Sequence, residues 1–134
     1  MVILNGGCHC TNIQFQVQFE GREIIAWDCN CSICLMKKNT HCIIPSKDFK
    51  LKDPEIPLTK YTFNTHTAQH WFCPKCGVQA FYVPRSNPDG FAVTIACIKE
   101  DDLKNSNIII KVQKFDGKNW DQEFAESNIS QLSK

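Results

Sequence analysis

Ile13-Gln14-Phe15-Gln16-Val17-Gln18-Phe19 alternates apolar and polar side chains without a miss. Successive side chains of an extended chain point to opposite faces, so this stretch predicts a strand with one face on a core and the other in water. Outward from it the signal recurs in shorter pieces. Ile24-Ile25-Ala26-Trp27, Cys42-Ile43-Ile44-Pro45, Tyr61-Thr62-Phe63, His70-Trp71-Phe72 and Ala80-Phe81-Tyr82-Val83 read as strands, and residues 91–96 and 108–112 complete the set. Scattered Gly and Pro punctuate them as turns. Helix signals are weak: one turn or two over 31–38, another over 99–103, and a polar tail beyond Trp120 with no convincing periodicity. The expected fold class is mainly β, a single domain of folded antiparallel sheets closer to a sandwich than to any α/β layout.

Length and composition agree. The 134 residues suit a single domain over 1–134, with its core at about 6–120 and a polar C-terminal tail at 121–134. A domain this small gains from a metal or a covalent staple. Hydrophobic content of 43% and charged content of 22% exclude disorder as the main state. A net charge of +1, from 15 Lys+Arg against 14 Asp+Glu, gives no bulk attraction to nucleic acid. No apolar run approaches the roughly 20 residues of a membrane span. The start MVILNGGCHC lacks the basic and long apolar regions of a signal peptide. The expected location is intracellular, cytoplasmic or nuclear, and not secreted.

Cysteine is the outlier, at nine residues. An odd count without an export signal points away from a disulfide framework and toward thiolate–metal sites in a reducing compartment. Seven of the nine fall in three clusters: Cys8-x-Cys10, Cys29-x-Cys31-x-x-Cys34 and Cys73-x-x-Cys76. Residues i and i+2 of an extended segment share a side, so Cys8 and Cys10 can face one ion. Cys73-Pro74-Lys75-Cys76-Gly77 makes a tight knuckle, with Pro74 presetting one dihedral and Gly77 free to adopt positive φ. Two such pairs make a closed tetrahedral Cys₄ zinc site, whereas a three-thiolate cluster leaves its fourth position for water or substrate.

Spacing alone does not fix the pairing. Joining Cys8 and Cys10 to Cys73 and Cys76 is the economical arrangement, because it leaves the trio Cys29, Cys31 and Cys34 intact. The competing arrangement is two purely structural zinc sites, the second closed by His9, His41, His66 or His70. Cys42 and Cys97 read as small buried hydrophobes, and Trp27, Trp71 and Phe72 as core.

The order Gly6-Gly7-Cys8-His9-Cys10, Asp28-Cys29-Asn30-Cys31-Ser32-Ile33-Cys34 and Phe72-Cys73-Pro74-Lys75-Cys76-Gly77-Val78-Gln79 resembles the glutathione-dependent formaldehyde-activating enzyme family. The segments 61–70 and 82–91 look most like its animal centromere protein V branch. The likeness runs roughly from Gly6 to Trp120, with Thr11 where the family usually has Gly. It implies an Mss4-like β fold and two zinc ions per chain. Cys8, Cys10, Cys73 and Cys76 would hold a structural zinc; Cys29, Cys31 and Cys34 would hold a second, catalytic one. The implied activity is that of a carbon–sulfur lyase, forming or cleaving S-(hydroxymethyl)glutathione.

On that reading the partner is a small-molecule thiol such as glutathione. His66 or Asn64 would donate to a developing oxyanion, and His41 or His70 would move protons. Arg85, Lys37 and Lys38 are the cations available for the two carboxylates of glutathione. The alternative is a non-enzymatic zinc-stabilised module of centromere protein V type, binding a protein partner on exposed sheet edges. Neither reading involves a membrane or direct nucleic-acid binding.

Overall fold

The computed structural model describes residues 1–134. Strand β1 (Val2–Gly7) runs antiparallel to β2 (Gln14–Phe19), which carries the alternation: Phe15 and Val17 are buried, while Gln14, Gln16 and Gln18 are exposed. Then follow β3 (Glu23–Cys29), helix α1 (Ser32–Lys37), β4 (Thr40–Pro45), β5 (Phe49–Leu51) and β6 (Thr59–Tyr61). After these come β7 (His70–Phe72), β8 (Phe81–Tyr82), β9 (Gly90–Thr94), α2 (Glu100–Ser106), β10 (Ile109–Phe115) and α3 (Trp120–Ser127).

The strands form a three-stranded sheet ordered β1-β2-β5, a five-stranded sheet ordered β10-β3-β4-β9-β8, and the hairpin β6-β7. This is the expected fold class, a small mainly β domain with antiparallel sheets and few helices. One pairing departs from the antiparallel pattern: β10 lies parallel to β3, with Phe115 opposite Cys29. The long connection between them permits that crossover. Its consequence is local, because it delivers Asp116 and Gly117 beside the cysteines that follow β3. No helix is long and apolar enough to cross a membrane.

Two apolar clusters hold the layers. The larger joins Leu4, Ile13, Phe15 and Val17 to Ile24, Ile44, Phe81 and Val93 across the two main sheets. Burying each such side chain contributes about 1.5–3 kcal/mol. Cys42 belongs to this core, as expected, whereas Cys97 lies half-buried in a single turn of 3-10 helix. The smaller cluster, Trp27, Ile43, Tyr82, Ala92, Phe115 and Ile129, underlies the cysteine trio.

Several segments differ from the sequence expectation. β1 and β5 lie outside the expected strands, and the strand expected over 91–96 ends at Thr94, where a 3-10 turn over Ile95–Cys97 begins. The strand expected at Tyr61-Thr62-Phe63 lies instead at 59–61. Thr62 and Phe63 enter a turn in which Asn64 and His66 take φ of 56° and 57°. The stretch after Trp120 is no loose tail: it forms α3 and a 3-10 turn over Ile129–Ser133, with Ile129 and Ser133 buried. The fully buried Asn87 amide docks it, donating to the Ile129 carbonyl at 3.0 Å and to Ser133 Oγ at 2.8 Å. Docking by a polar anchor and backbone carbonyls leaves little apolar periodicity to read.

Candidate metal centres and the adjoining cavity

The turn after β1 and the knuckle after β7 meet. Sγ atoms of Cys8, Cys10, Cys73 and Cys76 all lie within 4.8 Å of one another. Cys8 Sγ is 3.6 Å from Cys10 Sγ, which is 3.5 Å from Cys73 Sγ. A tetrahedral zinc with Zn–S of about 2.3 Å places its sulfurs about 3.8 Å apart, so the four donors fit such an ion. Backbone N–H groups point at the sulfurs, from Ile13 to Cys8 at 3.2 Å and from Lys75 to Cys73 at 3.4 Å. The backbone N–H groups of Cys10 and Val78 hold the Cys76 thiol down at about 6. Gly77 has φ of 75°, as the knuckle requires. Thr11 takes φ of 71° in the other turn, a conformation that glycine adopts at lower cost.

The second cluster stands at the end of β3. Cys29 closes the strand, Cys31 precedes α1 and Cys34 lies within it, with their sulfurs also within 4.8 Å of one another. No histidine nitrogen or carboxylate oxygen joins them in that cluster. The chain brings in a neighbour that sequence reading did not single out, the turn after β10. Asn30 fastens it by donating from Nδ2 to Asp116 Oδ1 at 3.0 Å and accepting the Lys118 N–H at 3.1 Å. Gly117 then sits so close that a β-carbon there would lie 2.8 Å from Cys29 Sγ and 2.6 Å from Cys31 Cβ.

Three sulfurs this close resist joint ionisation. Hydrogen bonds from Cys29 and Cys34 push the Cys31 thiol down to about 2, while Cys29 is pushed up by the same sulfur contacts and by burial. A divalent cation is what would let all three ionise. Both clusters could hold metal ions on this donor chemistry.

The trio opens into a cavity of about 360 Å³. The cavity wall includes Trp27, His41, His70 and Tyr82 from the sheets, Asn64 from the turn between β6 and β7, and Arg85. Tyr82 Oη lies 3.9 Å from Cys34 Sγ and 3.1 Å from His41 Nε2. The hydrogen-bond directions beyond it are fixed by a carbonyl. Thr94 Oγ1 donates to the Gln79 carbonyl at 2.7 Å, and accepts from Asn39 Nδ2 at 3.2 Å. Asn39 Oδ1 therefore faces His41 Nδ1 at 3.2 Å as an acceptor, and neutral His41 presents a bare Nε2 to the Tyr82 hydroxyl. Burial raises the Tyr82 phenol well above its ordinary value, so it keeps its proton at neutral pH.

The other expected site residues are dispersed. His66 is exposed and bonds to Thr62 Oγ1 at 2.9 Å; it is not part of the cavity wall. Lys37 is turned to the Gln79 side-chain carbonyl, and Lys38 caps α1 in a left-handed conformation. Arg85 does line the cavity, with its guanidinium 3.7 Å from the Trp120 ring centroid and 3.6 Å from Asp121 Oδ1. Lys118 lines the same cavity. Tyr82, Trp27 and Gly117 escaped sequence reading because an apolar strand and a turn glycine look the same with or without a site beside them.

Burial pushes both His41 and His70 down to about 4. Each imidazole thus takes up a proton more readily in the unfolded chain, whose value is about 6.5. The stability linked to this difference is complete above pH ~6.5 and is lost as pH falls toward 4. His70→Phe, which keeps an aromatic ring in the stack, removes one of the two groups. We expect the drop in urea-unfolding free energy between pH 7.5 and 5.0, with zinc in excess, to be smaller in this variant by roughly 1–2 kcal/mol. An unchanged drop would show that His70 is not buried neutral.

Residues 3–115 match the family model described as glutathione-dependent formaldehyde-activating enzyme. Among solved structures the chain is similar to the crystal structure of a Rhodobacter sphaeroides protein. The sequence identity is 27% and the TM-score 0.65, over 81% of this chain and 99% of that one.

Proposed function

Because the chain belongs to the glutathione-dependent formaldehyde-activating enzyme family, we propose that it is a zinc-dependent carbon–sulfur lyase-type enzyme acting on the glutathione–formaldehyde adduct. The observation that carries this reading is the three-sulfur cluster opening into a cavity that also presents Arg85 and Lys118. Cys8, Cys10, Cys73 and Cys76 would hold one zinc as a closed structural site. Cys29, Cys31 and Cys34 would hold the second. Zinc bound by three thiolates supplies an open coordination position and lowers the pKa of a thiol that reaches it.

The reaction joins the glutathione sulfur to the formaldehyde carbon. The thiol proton is lost from sulfur and a proton arrives on the former carbonyl oxygen, giving S-(hydroxymethyl)glutathione; cleavage is the reverse. The protein's task is chiefly positioning. Arg85 and Lys118 orient the glutathione carboxylates, Arg85 being preset by its stacking on Trp120. Tyr82 holds one proton between Cys34 and His41, where it can hydrogen-bond to a thiolate on one side or to the imidazole on the other. Asn64, at the cavity wall, offers an amide donor to the oxygen. Segments 61–70 and 82–91 supply Asn64, His70, Tyr82 and Arg85 to this wall.

The test is adduct exchange followed by NMR at mildly acidic pH, where the spontaneous reaction is slow, with zinc content measured on the same samples. Wild type should accelerate exchange and Cys34→Ser should not. Tyr82→Phe, which removes one hydroxyl from a buried ring, should lower the catalysed rate about 10- to 100-fold with the fold intact. No acceleration by wild type carrying two zinc ions would overturn the proposal.

A further inference from the structure

Polar atoms buried without a partner cost about 1–3 kcal/mol each, and native proteins keep few of them. In this chain the buried side-chain nitrogens and oxygens that lack a hydrogen-bond partner are three: Trp27 Nε1, His70 Nδ1 and His70 Nε2. All belong to two residues that line one cavity, the one beside the cysteine trio. Trp27 is 1% exposed and His70 3%, so solvent at the surface does not satisfy them.

The surroundings explain why no protein group does so. His70 is stacked between Tyr82, at 5.0 Å between centroids and 14° between planes, and Phe63, at 5.6 Å and 24°. Stacking fixes the ring by its faces and leaves both edge nitrogens unspent. Trp27 meets Phe115 edge-on at 5.9 Å and 84°. By contrast His41, the other buried imidazole, is fully engaged with Asn39 and Tyr82. Unpaired capacity is therefore confined to two residues of this cavity. It consists of one obligatory donor, the indole N–H, and a neutral imidazole that has one donor and one acceptor.

Two of these three groups, the indole donor and the imidazole acceptor, match an alcohol, which accepts at oxygen and donates its own proton. We propose that Trp27 and His70 recognise a hydroxyl on the bound ligand, namely the hydroxymethyl oxygen of the glutathione adduct. Trp27 Nε1–H donates to that oxygen and the bare nitrogen of His70 accepts its proton. The inference rests on the glutathione reading above and adds the part of the ligand that sets specificity. A site built around such a hydroxyl rejects an isostere lacking it, because the buried groups are then left unpaired again.

Two stable probes test this on the zinc-loaded full chain: S-(2-hydroxyethyl)glutathione and its hydroxyl-free isostere S-propylglutathione, compared by titration calorimetry. Wild type should bind the hydroxyethyl probe about tenfold or more tightly relative to S-propylglutathione. His70→Phe and Trp27→Phe should each lower that ratio about tenfold, whatever they do to absolute affinity. His70→Phe keeps the aromatic stack and removes two unpaired nitrogens, so its melting temperature without ligand should equal or exceed that of wild type. A lowered melting temperature with an unchanged ratio would show that the nitrogens serve a buried structural water, and would overturn the inference alone. Failure of wild type to bind either probe would overturn the glutathione reading, and this ligand assignment with it.

Discussion

Cys73→Ser should yield a protein without a cooperative unfolding transition, while Cys34→Ser should yield one that melts within a few degrees of wild type. The reason is where each sulfur sits. Cys73 is 1% exposed, and its sulfur stands 3.5 Å from Cys10 Sγ, at the point where the turn after β1 meets the knuckle after β7. These segments are joined through the four-sulfur cluster. Structural zinc in small domains contributes apparent free energies of about 10–16 kcal/mol, as much as a whole domain's net stability of about 5–15 kcal/mol. Serine at position 73 removes a thiolate from that cluster. Cys34 lies in a short helix beside a cavity, where serine is nearly isosteric and can take up the Tyr82 hydroxyl. Circular dichroism melts with zinc in excess would show the difference, and equal losses would contradict it.

Gly117→Ala should empty the second cluster while sparing the first. Gly117 is not in the left-handed region, so alanine meets no backbone penalty there and the effect is one of space alone. The new methyl would stand 2.6 Å from Cys31 Cβ, 2.8 Å from Cys29 Sγ and 2.9 Å from the Cys31 nitrogen. None of these can yield easily, because Asn30 ties both segments together and Phe115 pairs beside Cys29 in the sheet. Overpacking of this kind costs about 1–3 kcal/mol, which lowers the melting temperature without unfolding the chain. The displaced sulfurs should lose affinity for the second ion at least tenfold, and adduct exchange should fall about a hundredfold. Zinc analysis after dialysis should then give one ion per chain. Two tightly held ions in the variant would show that the turn after β10 does not shape the site.

The strands were legible where one face is buried and the other wet, as at 13–19, or where an apolar run is long, as at 108–112. β1 was not, because Val2-Ile3-Leu4 runs into Gly6 and Gly7, whose role is to let the backbone approach Cys97 and Ile13 closely. β5 is only three residues long and stands by pairing with β2. The docking of the 3-10 turn after α3 depends on Asn87, a polar residue distant in sequence. The cysteine clusters were legible because ligand spacing is a local property and the count leaves three donors over. Their surroundings were not. The register of β10 on β3, which sets Gly117 against the trio, is a long-range pairing without a local signal. Trp27, His70 and Tyr82 carry the aromatic character of core residues, and only their unpaired or shared polar atoms distinguish them.

The two cysteine clusters divide the labour: one holds the fold and the other serves the cavity. Stepwise removal of metal by a competing chelator tests this division most directly, with released zinc, circular dichroism and adduct exchange followed on one sample. Zinc should leave in two phases of one ion each. The first should abolish exchange and leave the dichroism spectrum unchanged, and the second should coincide with unfolding. Release of both ions in a single phase together with the fold would contradict it.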